Sequence, residues 1–343
     1  MTVPRERYVG AVIGTGRIGM LHERDPLRLK PATHFGMMKS HPRISFAAIC
    51  DAEPEKFDIA RSMKPDIACY TDPKKMLEEV RPDIVAIATW RDTHYQMMKL
   101  ALAAGVRVII CEKPIAESDA HAKEVVQQAR KQGVELLINH RRRFDPLLYS
   151  FRDDLQNGII GEIVQVHSIY VYGLLTTGTH MVDALRFFLN PVAGEIVWVA
   201  GYPNVMNHLA PADDPNVDAV LGFENGLKVF MQSSNIQDYD IFDFTFYGRA
   251  GMAHFYNIGR NIDIYKVMSS PEHEGFTEPS REPEERRGGK PRDLFTHMAD
   301  NAIDCIEGRA TSLSTGEDSL KTLEILLAIQ QSAAGNGRRI DLD

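Results

Sequence analysis

The chain has 343 residues, 44% hydrophobic and 25% charged, with 39 basic against 47 acidic side chains and a formal net charge of −8. That length exceeds one ordinary core and predicts two domains, and an acidic balance without a long basic run excludes a nucleic-acid partner. No stretch offers the roughly 20 apolar residues of a membrane-spanning helix, and Cys50, Cys69, Cys111 and Cys305 lack paired metal spacing, so neither membrane nor metal is expected.

The first residues carry no apolar signal-peptide core, and unpaired cysteines fit a reducing, cytoplasmic setting. Residues 8–13 are strand-like and run into Gly14-Thr15-Gly16-Arg17-Ile18-Gly19. A Gly-x-Gly-x-x-Gly between a strand and a helical stretch suits a dinucleotide's pyrophosphate. Its glycines permit a tight turn and close backbone approach, while helix N–H groups face the anion. Pro26 and Pro31 would interrupt a regular helix, so residues 22–33 read as an insertion.

A second buried run, 44–50, ends at Asp51. A carboxylate there binds a free ribose hydroxyl and favours NAD over NADP. It follows Gly19 by 32 residues rather than about 20, an excess the insertion explains. Arg17 and Lys56 keep a 2′-phosphate open. Asp72 and Pro73 start a helix to 79, and 84–88 is a strand. A helix over 93–104 stops at Gly105, Ser118 caps a helix ended by Gly133, and 135–138 is a further strand. This rhythm predicts a Rossmann domain, a doubly wound parallel sheet, over residues 1–140.

The strand at 106–111 delivers Glu112-Lys113-Pro114. Ligands gather at the carboxyl ends of such strands, so Lys113 would stand where the nicotinamide end lies. A partly desolvated lysine beside a cationic ring should have a lowered pKa.

After residue 146 the rhythm changes. Helices over about 147–157 and 180–189 separate strands at 163–171, 195–200, 219–223, 227–234, 242–247 and 262–266, with Glu224-Asn225-Gly226 as a hairpin turn. Residues 141–343 thus form an α+β domain on a large mixed or antiparallel sheet. Residues 271–292 read as a mobile loop, and helices at 294–307 and 317–334 follow. Arg141, Arg142 and Arg143 read as a solvated charge run, and Asp183 as an ion-pair partner of Arg186.

The order Gly14-x-Gly16-x-x-Gly19, Thr89-Trp90-Arg91-Asp92-Thr93-His94, Glu112-Lys113-Pro114 and Gly178-Thr179-His180-Met181-Val182-Asp183 resembles the Gfo/Idh/MocA family of oxidoreductases over nearly the whole chain. The resemblance implies NAD-dependent hydride transfer to or from a secondary alcohol carbon of a sugar, sugar derivative or cyclitol. It implies a homodimer or homotetramer formed through the C-terminal sheet. His180 would be the general acid/base and Lys113 would orient the reacting oxygen, with the opposite allocation open. Gly14, Gly16, Arg17, Ile18, Gly19, Asp51, Thr89, Trp90, His94, Glu112 and Lys113 would bind the cofactor. Lys113, Tyr172, Thr176 and His180 would bind a carbohydrate-like substrate, with His167 on the strand leading there.

One departure stands out. Many relatives carry an acidic residue four positions before the histidine, where this chain has Thr176. Either Lys113 and His180 suffice, another group substitutes, or redox activity is weak. Two rival classes are a redox-assisted lyase or glycoside hydrolase that keeps NAD bound, and a non-catalytic NAD-binding regulatory protein.

Overall fold

The structure is a computed structural model that describes residues 5–204, 206 and 214–342. In chain order its elements begin β1 (Tyr8–Ile13), α1 (His34–Ser40), β2 (Ile44–Cys50), α2 (Phe57–Met63), β3 (Ala68–Tyr70), α3 (Pro73–Val80), β4 (Ile84–Ile87), α4 (His94–Ala103), β5 (Val108–Cys111), α5 (Asp119–Gln132) and β6 (Glu135–Ile138). There follow α6 (Pro146–Gln156), β7 (Ile163–Val171), α7 (Thr179–Ala193), β8 (Ile196–Pro203), β9 (Val217–Phe223), β10 (Lys228–Ser234), β11 (Asp243–Gly248), β12 (Gly251–Tyr256) and β13 (Asn261–Ser269). Last come β14 (Thr277–Pro279), β15 (Glu285–Gly288), α8 (Leu294–Ile306), α9 (Gly316–Ala334) and β16 (Ile340–Asp341).

Two compact units divide the chain, Met1–Asp145 with Arg292–Leu323, and Pro146–Pro291 with Glu324–Asp343. They do not follow a single cut after residue 140. Phe295, Met298, Ala299, Ala302, Ile303 and Ile306 recur at helical spacing along α8 and are buried in the core of the first unit.

The first unit holds a six-stranded parallel sheet in the order β3-β2-β1-β4-β5-β6. Every residue of β4 and β5 is buried, as expected of strands covered on both faces. Strand order reverses between β1 and β4, where ligands bind in open α/β sheets. The Asp72 side chain accepts from the Lys74 and Lys75 amides, and Ser118 accepts from the His121 amide. Gly133 ends α5 at φ +65, where the left-handed conformation suits glycine.

No helix follows the glycine loop directly. Its backbone makes a turn in which the Met20 amide donates to Gly16 O at 2.9 Å, then a 3₁₀ turn over Leu21–Arg24. Regular helix starts only at His34, behind the Thr33 cap. The His34 and Phe35 amides donate to the Ile18 and Gly19 carbonyls at 3.1 and 2.9 Å, so α1 resumes the interrupted turn. Glu23 closes the inserted segment by accepting from Ala32 N and Thr33 Oγ1 at 2.9 and 2.8 Å.

The second unit is a ten-stranded mixed sheet in the order β14-β13-β12-β11-β7-β10-β9-β8-β16, with β15 also paired to β13. β7 and β10 are parallel at its centre, and the neighbouring pairs are antiparallel. Phe188 of α7 is wholly buried against Phe244, Phe246 and Phe255, so α7 packs on the core face together with α6 and α9. Gly226 at φ +91 turns the β9–β10 hairpin as its sequence foretells.

Two expectations need correction here. Residues 271–292 are not a structureless loop. β14 and β15 within them pair with β13, and Arg287 bonds Glu285 and Asp154. Nor is Arg143 solvated, for it is 7% exposed and paired with Asp318 at 3.0 Å.

Candidate active site

Three loops converge at the carboxyl ends of β1, β4 and β5. Gly14 leaves β1 at φ +91, and a Cβ there would lie 2.6 Å from the Ala88 carbonyl carbon, so only glycine lets the first two loops touch. A Cβ on Gly19 would stand 2.1 Å from Gly14 O, which requires the third glycine for the turn itself. Gly16 differs, because a Cβ there meets nothing within 4 Å. Its missing side chain opens space beside the loop, the cradle a pyrophosphate needs, and the residues present fit a dinucleotide.

Asp51, at the end of β2, reaches back to this loop. Its Oδ2 accepts from Thr15 N and Thr15 Oγ1, both at 2.6 Å, while Oδ1 accepts from Glu53 N at 3.0 Å and from Lys56 Nζ at 3.3 Å. Burial pushes the carboxyl pKa up. The hydrogen bonds from Thr15 and Glu53 and the Lys56 charge outweigh it and hold Asp51 below the usual carboxylate range.

After β4, Thr93 Oγ1 lies 2.7 Å from both Thr89 Oγ1 and Trp90 O, and Trp90 is 83% exposed. His94 is buried, with Nδ1 2.8 Å from Pro114 O and Nε2 3.2 Å from Thr89 O. Burial lowers its pKa more than the two carbonyls raise it, so the ring is neutral near pH 7 and its shorter contact has Nδ1–H donating to Pro114. The ring thereby ties the loop after β4 to the loop after β5.

Glu112 and Lys113 follow β5, the first buried and the second half-buried. Glu112 Oε1 accepts from His34 Nε2 at 2.8 Å and from Asn139 Nδ2 at 2.5 Å. Burial raises the Glu112 pKa, but His34, the Lys113 charge and Asn139 together bring it down to about 2. Glu112 is therefore an ionised buried group. Its charge favours the ammonium of Lys113, the opposite of the influence expected from desolvation.

In the second unit, Tyr172 and Thr176 lie on the turn between β7 and α7, and His180 lies in the first turn of α7. Tyr172 is 41% exposed at φ +62 and precedes Gly173 at φ +82. Leu174–Gly178 is a π-helical turn that runs into Thr179 of α7. Thr176 and His180 are half-buried. Thr176 Oγ1 donates to Asp214 Oδ2 at 2.6 Å. His167 lies elsewhere, mid-strand among exposed residues beside Phe230 and Tyr247.

The expected cofactor residues thus gather in the first unit, while the expected substrate residues other than Lys113 gather on one turn of the second and the start of α7. Three contributors went unread in the sequence: Thr15 inside the glycine motif, Asn139 after β6, and Asp214 in an irregular stretch without local signal.

A parallel sheet with a glycine loop at its switch point is the architecture of a dinucleotide-binding domain. Family models agree: residues 10–140 match the oxidoreductase family's NAD-binding Rossmann fold, and residues 173–342 match its C-terminal alpha/beta domain. The chain belongs to the Gfo/Idh/MocA family. It is similar to D-glucoside 3-dehydrogenase of Escherichia coli strain K12, 24% identical over 371 residues, covering 97% of each chain. It is also similar to 1,5-anhydro-D-fructose reductase of Ensifer adhaerens, 26% identical over 287 residues, covering 77% of this chain and 81% of that one. Among solved structures, the WlbA dehydrogenase of Bordetella pertussis in complex with NADH and UDP-GlcNAcA shares the fold, with a TM-score of 0.77, 20% identity, and coverage of 98% and 99%. Among the described residues no helix is long and apolar enough to cross a membrane.

Proposed function

We propose that the protein is an NAD-dependent dehydrogenase or reductase that moves a hydride to or from a secondary alcohol carbon of a sugar, sugar derivative or cyclitol. The observation that carries this reading is Lys113 at the carboxyl end of β5, beside the ionised Glu112, on the same sheet edge as the glycine cradle. NAD, when bound, supplies the hydride acceptor or donor. Asp51 accepts a hydrogen bond from a ribose hydroxyl, and its negative charge disfavours a 2′-phosphate. Lys113 hydrogen-bonds the reacting oxygen, and His180 takes or returns that oxygen's proton. The Thr176 proton is committed to Asp214, so this hydroxyl offers lone pairs to a substrate hydroxyl.

The same reading extends to assembly. Val164, Phe230 and Tyr247 are exposed on the ten-stranded sheet at 47%, 39% and 38%, an apolar face suited to pairing two or four copies. Light scattering that finds only monomers would remove that part.

The main test is a spectrophotometric screen of polyols, sugars and nucleotide sugars for NAD reduction. Net NADH formation with one class supports the dehydrogenase. Substrate turnover with NAD retained and no net NADH would favour a redox-assisted lyase, and no turnover with any class would overturn the enzyme reading.

A further inference from the structure

The turn that carries Tyr172 and Thr176 and leads into His180 is held from outside. A left-handed tyrosine costs about 1–3 kcal/mol, and such backbone persists only where its surroundings over-determine it. Short π-helical turns are rare and concentrate at functional sites. Residues 214–216 provide the restraint. Asp214 Oδ1 accepts from Leu175 N at 2.7 Å, and its Oδ2 accepts from Thr176 N at 2.8 Å and Thr176 Oγ1 at 2.6 Å. Asn216 Oδ1 accepts from Gly173 N at 2.8 Å, and Pro215 O accepts from Leu174 N at 3.2 Å.

Asp214 is wholly buried, and the chain makes room for it. A Cβ on Gly173 would stand 2.4 Å from Asp214 Oδ2. Both carboxylate oxygens act as acceptors for backbone amides. An asparagine has one acceptor oxygen, so its NH₂ would face an N–H, and the position therefore demands a carboxylate. Thr176 and His180 are four residues apart on successive helical turns, which sets them on one face.

We propose that Asp214 is the positioning residue of this turn. It fixes the Thr176 hydroxyl with its proton turned inward, and through the turn it fixes the orientation of the His180 imidazole. A carboxylate thus reaches the Thr176 position from a separate segment of the chain, which answers the absence of an acidic residue there. The inference rests on the reading of His180 as the group facing the reacting oxygen.

The test uses the full chain with NAD present and ¹⁵N-labelled histidine, the His180 ring signals being assigned by their loss in His180→Gln. Thr176→Ser keeps the donated hydrogen bond and should retain the wild-type His180 signals. Thr176→Val and Asp214→Asn should shift or split them while thermal melts show the proteins folded. If Asp214→Asn does not fold, Thr176→Val decides, since it removes only the hydroxyl. Unchanged His180 signals in folded Thr176→Val would overturn the proposal. Neither substrate nor turnover enters these readouts. A failed screen for NAD reduction would therefore strike the dehydrogenase reading alone, and unchanged spectra would strike the positioning role alone.

Discussion

His34 Nε2 donates to Glu112 Oε1 at 2.8 Å, so the helix that resumes after the glycine-loop insertion is joined to the residue before Lys113. The bond lies entirely inside the protein, with the His34 side chain 0% and the Glu112 side chain 10% exposed. Removing a hydrogen-bond donor from a buried carboxylate costs about 1–3 kcal/mol or more, because the charge loses a partner that water cannot replace. His34→Ala should lower stability by that order in denaturant unfolding, and Glu112→Gln in the same background should recover part of it. Equal stability of His34→Ala and wild type would show that the pair is not coupled.

Glu112 also predicts an acid limit. Its folded pKa of about 2 lies below the ordinary value of 4.5, so its contribution to stability is fully present above pH 4.5. That contribution fades as the pH falls from 4.5 towards 2. Acid titration followed by circular dichroism should show a flatter pH dependence for Glu112→Gln across that window than for wild type.

The glycines separate fold from ligand. Gly14→Ala would bring a methyl 2.6 Å from the Ala88 backbone at a positive φ and should destabilise the domain measurably. Gly16→Ala meets open space in the protein. It should leave the thermal midpoint within a few degrees while weakening NADH at least tenfold in fluorescence titration. Unaltered NADH affinity in Gly16→Ala would place the dinucleotide elsewhere.

Asp51→Ala should weaken NADH much more than NADPH, and an equal loss for both would undo the ribose assignment. Thr15 complicates the result in a useful way. Its amide and hydroxyl both depend on Asp51, so part of the loss will come from a loosened glycine loop. Thr15→Val should reveal that part, affecting NADH and NADPH alike.

Lys113→Ala should abolish turnover while leaving NADH affinity within a few-fold, and wild-type-like turnover would remove its catalytic role. The ionised Glu112 beside it sharpens the expectation. Glu112→Gln should move the limb of the pH–rate profile assigned to the lysine to lower pH, because removing the neighbouring negative charge disfavours the ammonium form.

Much of this architecture was legible from periodicity and punctuation. Gly14, Asp72, Ser118, Gly133 and Gly226 announce turns and caps whose physics is local, and each sits where its side chain or lack of one requires. Non-local pairing was less visible. β12 reads Gly251-Met252-Ala253-His254-Phe255-Tyr256, with little β-branched character, and its existence depends on neighbours β11 and β13. β14 and β15 are polar edge strands that composition alone assigns to a loop.

The candidate site divides the same way. Motif residues could be named because glycines, a strand-end carboxylate and a strand-end lysine have positional meaning in the chain. Asp214 could not, since its importance comes from folding 38 positions away from Thr176 onto the same turn. The bond from His34 to Glu112 spans 78 positions and likewise carries no local signal.

That insertion begins and ends at the same place in space, with the His34 amide 3.1 Å from the Ile18 carbonyl. A segment with coincident ends can be lengthened or shortened without moving what lies on either side. Residues between the 3₁₀ turn and Thr33, such as Leu27 at 94% exposure, therefore form a natural splice point. A fluorescent label or a foreign peptide grafted there would report on the nucleotide loop at close range while the sheet beneath kept its register.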